Sequence, residues 1–488
     1  MSDSAQPAPG RAINPEHWQG RLSTLAAKYH VPGAQLGILR LSEDGPDELM
    51  VAAHGVLSLR TQAPTTADSL FQIGSITKVW TATVIMQLVD EGRIELDTPV
   101  VAVLPELRLS DAEVTRAVTI RHLLTHTSGI DGDVFTDTGR GDDCLERYVA
   151  GLADVAQNHP LGVTWSYCNS GYSLLGRVIE QLTGMTWDAA LRERLFTPLG
   201  LSHTVTLPEE ALLFGAAVGH VEDEGPQEGE VDGEAPPKGA TRQRVAPVWT
   251  MPRSVGPAGL ITSRAADVLA FARMHLSGGR APDGSRVLSE ESVAAMAGHQ
   301  ADLPDKYILG DSWGLGWIRF GWDGQRLIGH DGNTIGQAAF LRLLPAQGLA
   351  VTLLTNGGQT RDLFDELYRE VFQELAGVDM PHPLVAPEVP VDVDPSPFVG
   401  SYVRASVRLE VLAPDAEHPL ARLRTTVTGT LAELDPEPPK EYHMVAVGPD
   451  LFVVRSPESR MWVPLTFYSL ATGEHYLHFG ARATPRVS

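Results

Sequence analysis

Apolar and polar positions alternate at both ends of the first 380 residues and follow a helical spacing between them. VPGAQLGILRL (31–41) and ELMVAAHGVLSL (48–59) read as two strands joined by the polar turn SEDGPD. The chain is therefore expected to begin with sheet, after a tail over residues 1–14. From Ser75 to Glu91 the run SITKVWTATVIMQLVDE is apolar on nearly all sides and stops before Gly92, which predicts a buried central helix. Leu174, Leu175, Val178, Ile179 and Leu182 repeat the helical period before Gly184, as does the stretch from Phe271 to Leu276. Beyond residue 312 the period returns to two, in WGLGWIRF, QRLIGH, QAAFLRLL and LAVTLLT. A last amphipathic helix carries Leu363, Phe364, Leu367, Tyr368, Val371, Phe372 and Leu375 on one face. These patterns imply an α/β (α+β) domain over 15–380, with an antiparallel sheet built from both ends of the segment and helices between.

Two segments break the pattern. Residues 222–238 hold seven acidic residues with glycine and proline and no large aromatic group, and read as a surface insertion. Residues 381–397, PHPLVAPEVPVDVDPSP, are dense in proline and read as a stiff linker. Only strand-like runs follow, among them SYVRASVRLEVL, LFVVRS, MWVPLTFYSL and HYLHFGA. They predict a second domain over 398–488, a small antiparallel barrel of lipocalin-like type. A stiff linker would hold it in place, where it would shape the mouth of a site rather than perform chemistry.

Charge and composition narrow the function. A net charge of -23 repels phosphate backbones and anionic membrane surfaces, so neither nucleic acid nor membrane is expected as a partner. The amino terminus has no basic start with an apolar stretch of signal-peptide length, which gives a cytoplasmic expectation. The two cysteines, Cys144 and Cys168, stand in no CxxC pair, so neither a disulfide framework nor a cysteine metal site is expected.

Three short stretches carry chemistry. In GSITK, Ser75 opens the buried helix and Lys78 follows three residues later on the same helix face. Burial favours the neutral amine, which can take the serine proton where a solvated ammonium cannot. In WSYCNSGYSLLG, Tyr167 and Asn169 lie two apart on an extended stretch and point the same way. The phenol can relay protons, and the amide can hold the lysine or a substrate. In GHDGNTIG, His330 is placed to supply a donor, and Gly332 to let substrate backbone approach. Seen singly, Ser75 would be a helix cap, Tyr167 a core aromatic and His330 a turn residue.

SITK, YCN and HDG in this order resemble the serine β-lactamase and penicillin-binding-protein superfamily. The class C-like branch is most similar, with its esterases, D-amino-acid peptidases and stand-alone peptide thioesterases. RHLLTHTSGI (121–130), NSGYSLLGRVIEQLTG (169–184), VGPAGLITSRAADVLAFARMHL (255–276) and LAVTLLTNG (349–357) extend the likeness over about 18–378. The resemblance implies Ser75 as acylated nucleophile, Lys78 and Tyr167 sharing acid and base work, and Asn169 as a supporting group. It also implies an oxyanion hole from the backbone N–H groups of Ser75 and Asn333, and a helical subdomain beside the sheet. No cofactor or metal is implied. The substrate would be a small-molecule or peptide acyl compound, free or bound to a carrier protein, and the acceptor water or an amine. His330 stands where antibiotic-directed members usually carry lysine, which argues against β-lactam hydrolysis because a neutral imidazole binds a carboxylate less strongly.

Three other patterns are set aside. Gly310–Gly314 matches G-x-S-x-G around Ser312, but the residues after it continue a β pattern instead of opening a helix. His122 and His126 lack the glutamate of H-E-x-x-H. Trp313, Trp317 and Trp322 fit a sheet core and pocket wall better than a base-stacking platform in so acidic a chain.

Overall fold

A computed structural model describes residues 12–488 except 43, 223–241, 390, 430, 431, 433–437 and 457–460. Residues 1–11 of the expected tail and nearly all of the acidic insertion thus lie outside the described residues.

The chain opens with a helix, not with sheet. Pro15–Lys28 is helical, with Pro15 in the first turn and the Asn14 carboxamide accepting from the N–H groups of Glu16 and His17. Trp18, Leu22, Leu25 and Ala26 recur at helical spacing and are buried. This face packs in one core with Leu363, Leu367 and Val371 of the Thr360–Ala376 helix.

The main sheet has eight antiparallel strands. Its order runs 48–55, 33–40, 349–355, 337–344, 325–334, 318–322, 312–313, 301–302. The first two strands therefore pair with the last ones, as the alternation predicts, and Leu36 faces Leu353 across the join. One face is covered by the two terminal helices. The other meets the Ala265–Leu276 helix and the central helix Thr77–Asp90. Every residue from Thr77 to Leu88 is buried, and Trp80 stacks on Phe271 at 4.0 Å. A helix apolar on all sides sits at the centre of its domain because no face of it tolerates water.

Between Val378 and Pro395 the described residues have no regular secondary structure. The strands that follow form a four-stranded and a five-stranded antiparallel sheet around a shared core that includes Tyr402, Leu409, Leu423, Phe452 and Leu465. The expected lipocalin-like closed barrel is not formed as one ladder. Met444 leaves the pairing between the sheets and donates to Ala421 O, and the opposite edges meet at a single bridge between Tyr402 and Arg486. Pro485 in the last strand has no N–H to extend that edge.

Burial has also trapped neutral histidines. His275 and His478 are each pushed down to about 3, by burial in both and also by the Arg482 cation at His478. Between pH 6.5 and about 3 the unfolded chain binds protons at these sites that the folded chain refuses, so stability falls as pH falls. Urea unfolding of His275→Leu is expected to lose about 2 kcal/mol less than the parent between pH 6.5 and 5. An identical loss in both proteins would contradict the assignment.

Candidate active site

Ser75 lies in a 3-10 turn, Gly74–Ile76, that feeds directly into the central helix Thr77–Asp90. The turn is pressed against the Gln325–Thr334 strand, and two glycines permit this. A Cβ on Gly332 would lie 1.9 Å from Ile73 O, and one on Gly74, whose φ is +50°, would lie 2.6 Å from Asn333 N. Gly332 therefore admits the protein's own backbone rather than a substrate's, which corrects the sequence reading. The close approach brings Ser75 and Asn333 to the wall of the same cavity.

Lys78 is fully buried. Its Nζ is 3.1 Å from Ser75 Oγ, 2.7 Å from Asn169 Oδ1 and 2.6 Å from the carbonyl oxygen of Ala258. The Ala258 carbonyl is set by the short Gly256–Gly259 turn, which abuts the Asn169–Thr183 helix where Gly176 leaves room for Pro257. Burial first, and then the Arg482 cation, holds the Lys78 amine well below its usual range, with Cys168 and Asp133 acting the other way. A neutral amine has two N–H groups and one lone pair. In that state Asn169 and Ala258 would accept the two N–H groups, and the lone pair would fall to the Ser75 hydroxyl.

Tyr167 and Asn169 flank Cys168, whose extended backbone (φ −134°) caps the helix begun by Asn169. The Tyr167 ring lies 4.7 Å from Lys78 Nζ. Burial raises its phenol, with the Ser75 hydroxyl and the Arg482 cation opposing part of the shift, so the phenol keeps its proton at neutral pH. Under the ring lies His126, at a centroid distance of 4.4 Å. His126 Nδ1 accepts from Cys168 N at 3.0 Å, which ties the THTSG turn to the YCN stretch. His122 instead caps its own short helix with Thr119.

His330 lines the cavity, in a strand as predicted. Its Nδ1 is 2.6 Å from the carbonyl oxygen of Asp331, an acceptor, so this nitrogen carries the proton and Nε2 holds a lone pair. Burial, and secondarily Lys78, pushes the ring down to about 3. The sequence reading gave His330 a donor's part; the neutral ring with Nδ1 engaged offers an acceptor instead. Burial alone would raise Asp331, but Arg342 and Arg361 bring it to about 2.

Residues absent from the sequence reading complete the site. Asp133 is buried and accepts from Asn169 Nδ2 at 3.2 Å. It also accepts from Arg482 Nη2 at 2.8 Å, from Arg482 Nε at 3.0 Å, and from Arg404. Both arginines come from the C-terminal sheets. No local pattern marked them, since a side chain 349 positions away leaves no periodic trace near Asp133. The tip of that hairpin, Gly480–Arg482, forms part of the cavity wall. The cavity holds about 420 Å³ and is otherwise walled mainly by apolar groups such as Phe135, Met251, Leu260, Ile308, Leu309 and Ile335.

Ser312 is elsewhere. It is buried and bonded to Asp311 and Arg319, away from the cavity. Trp313 and Trp317 are fully buried, and Trp313 packs edge-on to His126, Tyr167 and His330.

Comparison with known proteins agrees with this geometry. The family model described as Beta-lactamase matches residues 18–376. Penicillin-binding protein 4 of Amycolatopsis lactamdurans is 49% identical over 390 residues, which is 80% of this chain and 97% of that protein. A structure of SurE with D-Leu superposes with a TM-score of 0.71 at 29% identity, covering 97% of this chain and 99% of SurE, and so includes the C-terminal sheets. D-amino acid amidase from Ochrobactrum anthropi SV3 shares the fold over 73% of this chain and 97% of its own, with a TM-score of 0.57 at 21% identity. The chain belongs to the beta-lactamase family of serine hydrolases.

Proposed function

We propose that Ser75 attacks the carbonyl of a neutral ester or amide whose acyl part is an apolar, D-configured aminoacyl or peptidyl group, and that the acyl-enzyme is then released to water. The observation that carries this reading is the buried Lys78 amine, held 3.1 Å from Ser75 Oγ by two carbonyl acceptors. Lys78 takes the Ser75 proton as Oγ bonds to the carbonyl carbon. The backbone N–H groups of Ser75 and Asn333 stabilise the oxyanion. Tyr167, protonated at neutral pH, passes a proton to the leaving group as the carbon–heteroatom bond breaks.

The substrate class follows from the walls. Arg482 is the permanent cation among the described residues lining the cavity, and its fork is occupied by Asp133; His330 is neutral. A substrate carboxylate finds no ion partner there, whereas an apolar side chain fits the Phe135–Met251–Leu260 wall. SurE, whose structure holds D-Leu, supports a D-configured acyl group. Transfer to an amine, including cyclisation of a peptide held on a carrier, is a second reading. It is favoured by the hairpin at Gly480–Arg482, which adds a wall from the C-terminal sheets beside Tyr167, where an acyl acceptor could be held.

Ser75→Ala and Lys78→Ala are each expected to lower kcat on a D-aminoacyl ester by roughly 10³-fold or more, and the double variant by no more than the worse single one. Ser312→Ala should retain parental rates; loss of activity there with activity kept in Ser75→Ala would overturn the reading. Tyr167→Phe should lose more on an alkyl ester than on a p-nitrophenyl ester, because nitrophenolate leaves without a proton. Equal losses on both would remove Tyr167 as proton donor. Cephalosporin turnover should stay below a kcat/KM of about 10⁴ M⁻¹s⁻¹; a higher value would contradict the charge argument at His330.

A further inference from the structure

The residues given acid, base and nucleophile roles above all lie in the family-matched segment 18–376, yet the polar chain behind Lys78 ends outside it. Four groups follow in order: Lys78 Nζ to Asn169 Oδ1, Asn169 Nδ2 to Asp133 Oδ1, and Asp133 to the fork of Arg482. A carboxylate only accepts hydrogen bonds. It therefore fixes which end of the Asn169 amide faces it, and turns the carbonyl end toward Lys78. If Asp133 took up a proton it could donate, and the amide could reverse and present N–H groups to an amine that has none to spare.

The hairpin that delivers Arg482 is held in place by the catalytic part of the molecule. Its two-residue turn, Gly480–Ala481, has both residues at positive φ, +57° and +66°. Alanine there is strained by roughly 1–2 kcal/mol, so the surroundings must hold it. Tyr167 N donates to Ala481 O at 3.0 Å and Ala483 N to Ser166 Oγ at 3.1 Å. Ala481 is buried in the core of the main sheet rather than in that of the C-terminal sheets. Arg482 also lies 4.9 Å over the Tyr167 ring and bonds back to Gly480 O.

We propose that Arg482 is a positioning residue of the acylation step: by clamping Asp133 as an ionised acceptor it orients Asn169, and through it the Lys78 lone pair, toward Ser75. The C-terminal sheets are then part of the catalytic apparatus rather than an appended module. The proposal rests on the Ser75–Lys78 reading above. Two electrostatic facts agree with it. Asp133 would be raised by burial and is brought to about 2 chiefly by Arg482 and Arg404, and Arg482 is the charge that most opposes protonation of Lys78.

The test is the pH profile of Ser75 acylation by p-nitrophenyl butyrate, measured as burst rate per titrated site on full-length protein. Arg482→Gln is expected to slow acylation about tenfold or more and to move the acidic limb up by about one pH unit, because the cation that disfavours the ammonium is gone. Arg482→Lys, which restores the charge, should return the limb to the parental position. Asp133→Asn should move it the other way, to lower pH, and it carries the test alone if Arg482→Gln does not fold. A purely structural role would lower thermal stability and the fraction of titratable sites but leave the limb unmoved in these variants, and that result overturns the proposal. Ser75→Ala, run alongside, should give no burst. A burst from it overturns the site reading itself, whereas a normal Ser75 burst with an unmoved limb overturns the role of Arg482 alone.

Discussion

An amine sealed from water keeps its proton only where neighbouring groups replace the hydration it has lost. Around Lys78 that replacement comes from neutral dipoles and rings, without a free counter-charge. Two carbonyl oxygens and one serine hydroxyl face the nitrogen, aromatic rings of Tyr167 and Tyr172 flank it, and the nearest carboxylate, Asp133, is already clamped by two arginines. The charge that could have stabilised an ammonium is thus spent on guanidinium groups. An amine of lowered basicity, oriented three residues from a hydroxyl, follows from this arrangement, and the chemistry proposed for the site starts from that amine.

The same device appears on the far side of the cavity. Asp331 follows His330 and is clamped by Arg342 and Arg361, so the HDG stretch brings a neutral imidazole and an arginine-clamped carboxylate to the site. Both clamps hold a buried carboxylate ionised between two guanidinium groups. Breaking either would strand a buried charge at a cost of several kcal/mol, which ties the positions of the site to the stability of the fold.

Much of this was legible in the chain because it is local. Period-two runs located the main sheet, and an all-round apolar run located the central helix. Ser75 and Lys78 are joined by one helical turn, and Tyr167 and Asn169 by one extended residue. The opening helix escaped notice because its buried stripe is only Trp18, Leu22, Leu25 and Ala26 among polar neighbours, with its start marked by Asn14–Pro15. Glycines were read in the wrong sense: Gly332 suits close approach, but pattern alone does not say whose backbone approaches. Whether strands close into a barrel depends on edge pairing, here limited at Met444 and Pro485, to which hydrophobic alternation is blind. Arg404 and Arg482 meet Asp133 across most of the chain, and no spacing rule reaches that far.

The central claim is that a neutral Lys78 activates Ser75. It is tested most directly by following fluorophosphonate labelling from pH 5 to 11 and locating the adduct by peptide mapping. The account requires the adduct on Ser75 and a labelling rate that levels off well below 10.5, the ordinary value for lysine. An adduct on another serine, or a rate still climbing through 10.5, would contradict it.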